Sequence, residues 1–381
     1  MKAFTFNPGP RLLAGESSAT ELADRLPDGA CLFVTDREVV ALGLTDACRA
    51  AIAARGREII LFDAVEADPS RATLLAAVEA GRSANVTHVL GFGGGSPMDV
   101  AKLAAYLLGS GDDLEAIWGV GLATGKRLPL ALVPTTAGTG SEATPVAVIT
   151  CEGGEKRGVN SPALIADWAA LDASLTVGMP RALTAATGID AMVHAIEAFT
   201  SAKAKNPLSD LYAVEALRLL SANLLTACDR PSDMVSRSAM LLGAHFAGLA
   251  FANAPVAGVH ALAYTLGGIH HLPHGLSNAL MLRHVLQHNA AAAREDYAML
   301  ATILEPECAW QGSQMQCATL IDRLDALVVA SGIAPRLRDH GIAQGDIPLL
   351  ASEAMKQQRL LVNNPCPIDE ADARRLYEAA W

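Results

Sequence analysis

Asp190 and His194 lie four residues apart in a run, 182–199, whose spacing predicts a helix opened by Pro180 near its first turn. Positions four apart on a helix stack on one face, so a carboxylate and an imidazole there can converge on one point. Two further imidazoles follow in Gly-rich settings, His260 in Gly258-Val259-His260-Ala261 and His274 in Leu272-Pro273-His274-Gly275. One carboxylate and three neutral imidazoles form a reasonable ligand set for a catalytic divalent ion such as Zn²⁺ or Fe²⁺. A single carboxylate cancels only part of the +2 charge, so such an ion stays Lewis acidic and can polarise a substrate oxygen. The competing reading is a surface Asp–His pair and two loop histidines bonded to backbone.

Positioning these residues needs a scaffold, and the chain divides into two textures. Up to about residue 170, short apolar runs at 30–35, 58–62, 87–92 and 128–133 alternate with helical patterns at 38–55, 69–84 and 97–109. Strands separated by helices of that length imply parallel pairing through crossovers, hence an α/β layered domain. Beyond about residue 176, long helical patterns at 182–199, 209–223, 234–252 and 290–304 predict an all-α domain. The expected division is 1–178 and 179–381, with Gly178-Met179-Pro180 as the boundary.

Two small-residue loops follow strands of the first half. The run 87–92 leads into Gly93-Gly94-Gly95-Ser96-Pro97-Met98-Asp99 and then a helix. Glycines between strand and helix let backbone amides approach an anion, and the helix N-terminus adds a favourable dipole. The spacing matches neither the usual dinucleotide fingerprint nor a Walker loop. The second loop, Pro134-Thr135-Thr136-Ala137-Gly138-Thr139-Gly140-Ser141-Glu142, follows the run 128–133. Two such loops at the carboxyl ends of strands are where a dinucleotide would lie.

At 381 residues the chain exceeds one comfortable core, and 51% hydrophobic with 18% charged residues describes a well-buried globular protein. Its 29 basic and 40 acidic residues give a net charge of −11, which argues against nucleic-acid or anionic-membrane partners. No apolar run suits a signal peptide or reaches the roughly 18 residues of a membrane span. Seven scattered cysteines without a Cys-x-x-Cys pair predict reduced thiols in a cytoplasmic protein.

Taken in order, these pieces resemble the iron-containing (group III) alcohol dehydrogenases, relatives of glycerol dehydrogenase and dehydroquinate synthase. The resemblance rests on Gly93-Gly94-Gly95-Ser96-x-x-Asp99, the 134–142 loop, and Gly188-Ile189-Asp190-Ala191-x-x-His194-Ala195-Ile196-Glu197. It continues through Val259-His260, Leu272-Pro273-His274-Gly275 and the tail from Asn364-Pro365-x-Pro367 to Ala379-Ala380-Trp381, spanning nearly the whole chain. It implies a dehydroquinate synthase-like fold, with an α/β amino-terminal dinucleotide-binding domain and an all-α carboxy-terminal metal domain. It further implies Asp190, His194, His260 and His274 as ligands of Fe²⁺ or Zn²⁺, and Gly94, Gly95 and Ser96 as the pyrophosphate cradle. Asp99, Thr135, Thr136, Thr139, Ser141 and Lys156 would line the nicotinamide half, and Asp36 the adenosine ribose. A carboxylate at Asp36 repels a 2′-phosphate, which predicts NAD over NADP; its other reading is a helix N-cap.

The implied activity is hydride transfer between NAD(H) and a small alcohol, aldehyde or ketone held in the cleft between the domains, by a protein that is commonly a homodimer or larger. Maleylacetate reduction, hydroxyacid–oxoacid transhydrogenation and a dehydroquinate synthase-type lyase are the alternatives. Three positions depart from the family pattern. Tyr264 replaces a histidine that can relay a proton, which makes Tyr264 and the nearby His271 the relay candidates. Ala67-Asp68-Pro69 stands where Pro-Asn-Pro is usual, and Cys366 replaces an arginine.

Overall fold

The computed structural model describes residues 3–381 and separates them into two compact units. Pro8–Gly178 is an α/β unit. Its main sheet joins β1 (Arg11–Ala14), β2 (Cys31–Val34), β3 (Ile59–Phe62), β4 (His88–Gly93), β6 (Leu130–Pro134) and β9 (Trp168–Leu171). The order is β1-β9-β6-β4-β2-β3 and every pairing in it is parallel. Every residue of β2, β4 and β6 is buried, because helices cover both faces. Alternation still assigns each side chain to a face. Cys31 and Phe33 join Ile52, Leu90 and Phe92 in one core, while Leu32 and Val34 join Leu74, Val89 and Leu132 in the other. Each such large apolar side chain contributes about 1.5–3 kcal/mol by leaving water.

The chain runs from β2 outward to β3 and then returns to β4 on the other side of β2. Ligands of open α/β sheets bind at the carboxyl ends of strands flanking such a reversal. Asp36 follows β2 and the glycine run follows β4, so both stand at that point.

Among the helices of this unit, α1 (Asp46–Ala54), α2 (Arg71–Ser83) and α3 (Gly95–Ser110) are the longest. The helix expected over 38–55 is broken. Arg37–Ala41 and α1 are separate, and Gly43 between them takes a φ of 70°, a conformation that ends a helix and suits glycine. A small sheet of β5 (Gly119–Val120), β7 (Val146–Thr150) and β8 (Lys156–Asn160), along with β1 and β9, had no counterpart in the periodicity.

Met179–Trp381 is helical. It contains α4 (Arg181–Phe199), α5 (Pro207–Asp229), α6 (Met234–Asn253), α7 (Gly258–His270), α8 (His274–Asn289), α9 (Arg294–Leu304), α10 (Ser313–Ala330), α11 (Ile347–Ala354) and α12 (Glu370–Ala380). The Asn206 side chain accepts from the Leu208 and Ser209 amides and so fixes the start of α5. By length and composition α5 and α6 could cross a membrane, but here they pack on each other and on α4. The helix expected from residue 290 begins only at Arg294. The described residues up to Asn7, expected within the α/β domain, belong to this unit instead. The Asn7 amide donates to Asn253 Oδ1 at 2.6 Å, Asn253 Nδ2 returns a bond to the Asn7 carbonyl at 3.0 Å, and Phe6 stacks on Tyr212.

Candidate active site

Helix α4 carries Asp190 and His194 on one buried face, α7 brings His260 from its first turn, and α8 begins with His274. The Nε2 atoms of His194, His260 and His274 lie 4.0, 3.7 and 3.5 Å from Asp190 Oδ1. One ligand atom from each of the four residues falls within 4.8 Å of the others. A tetrahedral ion with bonds near 2.1 Å holds its ligand atoms about 3.4 Å apart, so the donor set fits a first-row divalent metal with slight contraction. Asp190 and His260 side chains are 2% exposed and His194 6%, against 34% for His274. Solvent therefore reaches the cluster along His274.

Glycine makes this convergence possible. A Cβ at Gly275 would fall on the Ala186 carbonyl of α4, so only glycine lets the start of α8 approach α4 closely enough for His274 to meet Asp190. The charge balance is equally local. Burial alone would raise the Asp190 carboxyl, but His194, His274, His260 and the Asn278 amide outweigh it and hold the group below the ordinary carboxylate range.

Around these four stand residues to which the sequence assigned no role. Buried Glu197, one turn beyond His194, places Oε2 at 2.7 Å from His260 Nδ1. The same carboxylate accepts from the backbone amides of Ala257 and Val259 at 2.8 and 2.6 Å. A carboxylate only accepts, so His260 carries its proton on Nδ1 and presents a lone pair at Nε2. The Asn364 of the tail motif accepts from the Gly258 amide at 3.2 Å, and Asn363 donates to the Val256 carbonyl at 3.0 Å. The tail thus braces the start of α7. Phe251 stacks on the His194 ring at 4.4 Å. The signal for Glu197 was its own position, seven residues after Asp190 on the same helix face.

Of the two relay candidates, Tyr264 stands beside the cluster, its ring 6.4 Å from that of His260 and 5.6 Å from that of His274. His271 is exposed and closes α7 in a left-handed conformation, φ 56°, where its amide bonds the Gly267 carbonyl. Among the described residues its ring stacks on none of the site's rings.

The cofactor candidates lie in the α/β unit. Gly93 takes a φ of 148°, and a Cβ there would strike Pro97, so the turn from β4 into α3 requires glycine. Gly94 caps α3, and Gly95 and Ser96 supply partly exposed first-turn amides aimed out of its N-terminus. The second loop is fastened to the first. The Thr135 amide donates to the Gly93 carbonyl at 2.9 Å, Thr136 lies against Gly94, and the Thr139 methyl lies against Gly95.

Asp99, Ser141 and Lys156 have internal partners. Asp99 accepts from Ser141 Oγ at 2.7 Å and from the Val148 amide at 2.9 Å, and Lys102 Nζ donates to Ser141 Oγ at 2.7 Å. Burial lowers Lys102 to about 8, with Asp99 and Glu142 opposing the fall, and burial raises Asp99 against the pull of Lys102. Lys156 Nζ bonds Asp68 Oδ1 at 2.6 Å. Asp68 itself has a φ of 54°, a backbone state that Asn and Asp tolerate best, which explains why an aspartate can stand in the usual asparagine position. Asp36 caps the short helix Arg37–Ala41 by accepting from the Val39 amide at 2.8 Å through Oδ1, while Oδ2 lies beside Gly93. The cap reading is therefore realised through Oδ1, and Oδ2 takes no part in that cap.

Comparison with known proteins agrees with this arrangement. Residues 9–173 match the family model "Iron-containing alcohol dehydrogenase", and residues 184–381 match "Fe-containing alcohol dehydrogenase family, C-terminal". The chain is 39% identical to Long-chain-alcohol dehydrogenase 1 of Geobacillus thermodenitrificans over 92% of its own length and 89% of that protein's. It is 32% identical to the sulfoacetaldehyde reductase of Bilophila wadsworthia over 99% of both. A crystal structure of 1,3-propanediol oxidoreductase superposes with a TM-score of 0.96 at 31% identity, covering all of both chains. The sulfoacetaldehyde reductase of Bifidobacterium kashiwanohense, solved with NAD⁺, gives 0.88 at 27% identity over 100% of this chain and 99% of that one. The chain belongs to the iron-containing alcohol dehydrogenase family and is a metal-dependent, NAD-linked oxidoreductase.

Proposed function

We propose that Asp190, His194, His260 and His274 bind one Fe²⁺, or Zn²⁺ in its place, and that the chain interconverts a small uncharged alcohol with its aldehyde or ketone using NAD(H) in preference to NADP(H). The observation that carries this is the convergence of the four donor atoms within 4.8 Å. When bound, the ion supplies Lewis acidity toward the substrate oxygen and the nicotinamide supplies or accepts the hydride. The remaining work falls to side chains. Asp190 offsets part of the ionic charge, and Glu197 fixes the tautomer of His260. The Tyr264 hydroxyl, on the helix beside two ligand rings, is the group we assign to hold or pass the substrate proton, with solvent-exposed His271 as a later acceptor. In the α/β unit, the first-turn amides of α3 at Gly94, Gly95 and Ser96 would receive the pyrophosphate. Thr135, Thr136 and Thr139 would line the nicotinamide half, where Asp99, Ser141 and Lys156 support the loops through their internal bonds. Asp36 Oδ2 would meet the adenosine ribose and disfavour a 2′-phosphate.

A neutral substrate is favoured over a phosphate-bearing one because the groups found against the cluster, Asn278, Glu197, Phe251 and Tyr264, offer an amide, a carboxylate and two aromatic rings, a setting that suits an uncharged molecule better than an anion. The relatives named for a long-chain alcohol and for 1,3-propanediol support the alcohol–aldehyde reading over oxo-acid reduction and transhydrogenation. Seven free cysteines suit a reducing, cytoplasmic setting, and the family resemblance supports a homodimer, which light scattering would measure. The deciding experiment follows NADH oxidation with a panel of aldehydes and oxo acids on Fe²⁺- and Zn²⁺-loaded protein. Turnover is expected with small aldehydes and is expected to vanish on chelation and in His274→Ala. Equal turnover in metal-stripped protein would overturn the assignment.

A further inference from the structure

Asn278 is fully buried on α8, one turn beyond His274. Its Nδ2 lies 2.6 Å from Asp190 Oδ1, 3.2 Å from His260 Nε2 and 3.3 Å from His274 Nε2. The carboxylate oxygen can only accept, so the atom facing it is the amide nitrogen and not the amide oxygen. An amide nitrogen carries two protons, and here it faces three ligand atoms, of which Asp190 Oδ1 and the Nε2 lone pair of His260 are acceptors. Its own Oδ1 meanwhile has no partner among the described residues, although a buried amide oxygen without a bond costs roughly 1–3 kcal/mol. A group that leaves one end unsatisfied in order to crowd the other among three ligand atoms is placed for those atoms, not for packing.

We propose that Asn278 is a positioning residue of the metal site. Its amide clamps Asp190 Oδ1 in the orientation that faces the three imidazoles. Before an ion arrives, the same NH₂ shares its second proton between the lone pairs of His260 and His274, so that the four donors stay gathered around one point. When those lone pairs are taken up by a metal, the amide keeps its bond to Asp190 and goes on orienting the carboxylate. The residue therefore acts on affinity and ligand geometry through Asp190, without being a ligand. This inference rests on the four-residue metal site proposed above.

The test uses Co²⁺ and the full-length protein, stripped of metal by dialysis against a chelator. Dissociation constants come from competition with a chelator of known affinity, and the Co²⁺ ligand-field absorption reports the arrangement of the donors. Asn278→Leu keeps the shape and removes the donors, and Asn278→Ala provides a variant that cannot clash should the leucine form fail to fold. Both are expected to bind Co²⁺ about 10–100-fold more weakly, with an altered ligand-field spectrum, whereas a residue needed only for packing would leave the spectrum as it was. His194→Ala is expected to lose the Co²⁺ spectrum altogether. If the parent protein and His194→Ala bind Co²⁺ alike, the four-residue site itself is wrong. If the parent binds one Co²⁺ through His194 and both Asn278 variants match its affinity and spectrum, only the role of Asn278 falls.

Discussion

Glu197 and His260 sit on helices far apart in sequence and meet across 2.7 Å, carboxylate Oε2 to imidazole Nδ1. Because Glu197 follows His194 by three residues on α4, one helix both supplies donors and dictates the tautomer of a donor on another. Glu197→Gln keeps the shape and removes the charge, so metal affinity is expected to fall about 10–100-fold by calorimetric titration with Zn²⁺. Glu197→Ala also strands the Ala257 and Val259 amides, and a lower melting temperature of the metal-free protein should accompany the loss. Unchanged affinity in both would show that the ring is oriented by something else.

Asp36 performs a cap with one oxygen and leaves the other beside Gly93, so the two roles can be separated. Asp36→Ser retains a capping oxygen but no charge. Its stability should stay near that of the parent while the preference of kcat/KM for NAD⁺ over NADP⁺ narrows by tenfold or more, a change on the order of 1.4 kcal/mol. Asp36→Ala should narrow it equally and lose about 1 kcal/mol of stability as well. A preference that survives both substitutions would remove Asp36 from cofactor selection.

Gly275 is where α8 passes the Ala186 carbonyl. Gly275→Ala must push the two helices apart, at a cost of about 1–3 kcal/mol, and carry His274 away from Asp190. Thermal unfolding and metal titration together test this. Loss of metal affinity beyond what the stability change explains is the expected result, and a variant indistinguishable from the parent would contradict the close approach.

His88, at the start of β4, is buried beside Thr87, and burial, reinforced by the charge of Arg57, lowers it from 6.5 to about 4. Between those values the unfolded chain binds the proton and the native state does not. Stability that is present above pH 6.5 is therefore lost as the pH falls toward 4, by on the order of 3 kcal/mol. Denaturant unfolding across that range, compared with His88→Val, isolates the contribution: the difference should shrink as the parent loses stability on acidification. Parallel pH profiles would show that the ring charges freely in the native state.

Much of this arrangement was legible because it is local. The Asp190–His194 spacing, the glycines after β4 and the alternation of strands with helices depend on neighbours along the chain, where 3.6-residue and two-residue periodicities operate. Asn278 obeys the same spacing, four residues after His274, but an asparagine within a helix gives no sign of what it faces. The break at Gly43 and the short strands β5, β7 and β8 were not legible, since a few residues carry too little periodicity to outweigh their partners.

By itself the sequence determined which side chains were available for chemistry and which helix and loops would carry them. Only the tertiary structure decided that three helices bring four donors within 4.8 Å, that Glu197 and Asn278 orient two of them, and that Asp99 and Lys156 spend their charges on internal partners. The reason is physical: spacing along a helix fixes which face a residue occupies, whereas what that face meets depends on how closely other helices can pack, and at Gly275 that closeness turns on a single missing Cβ.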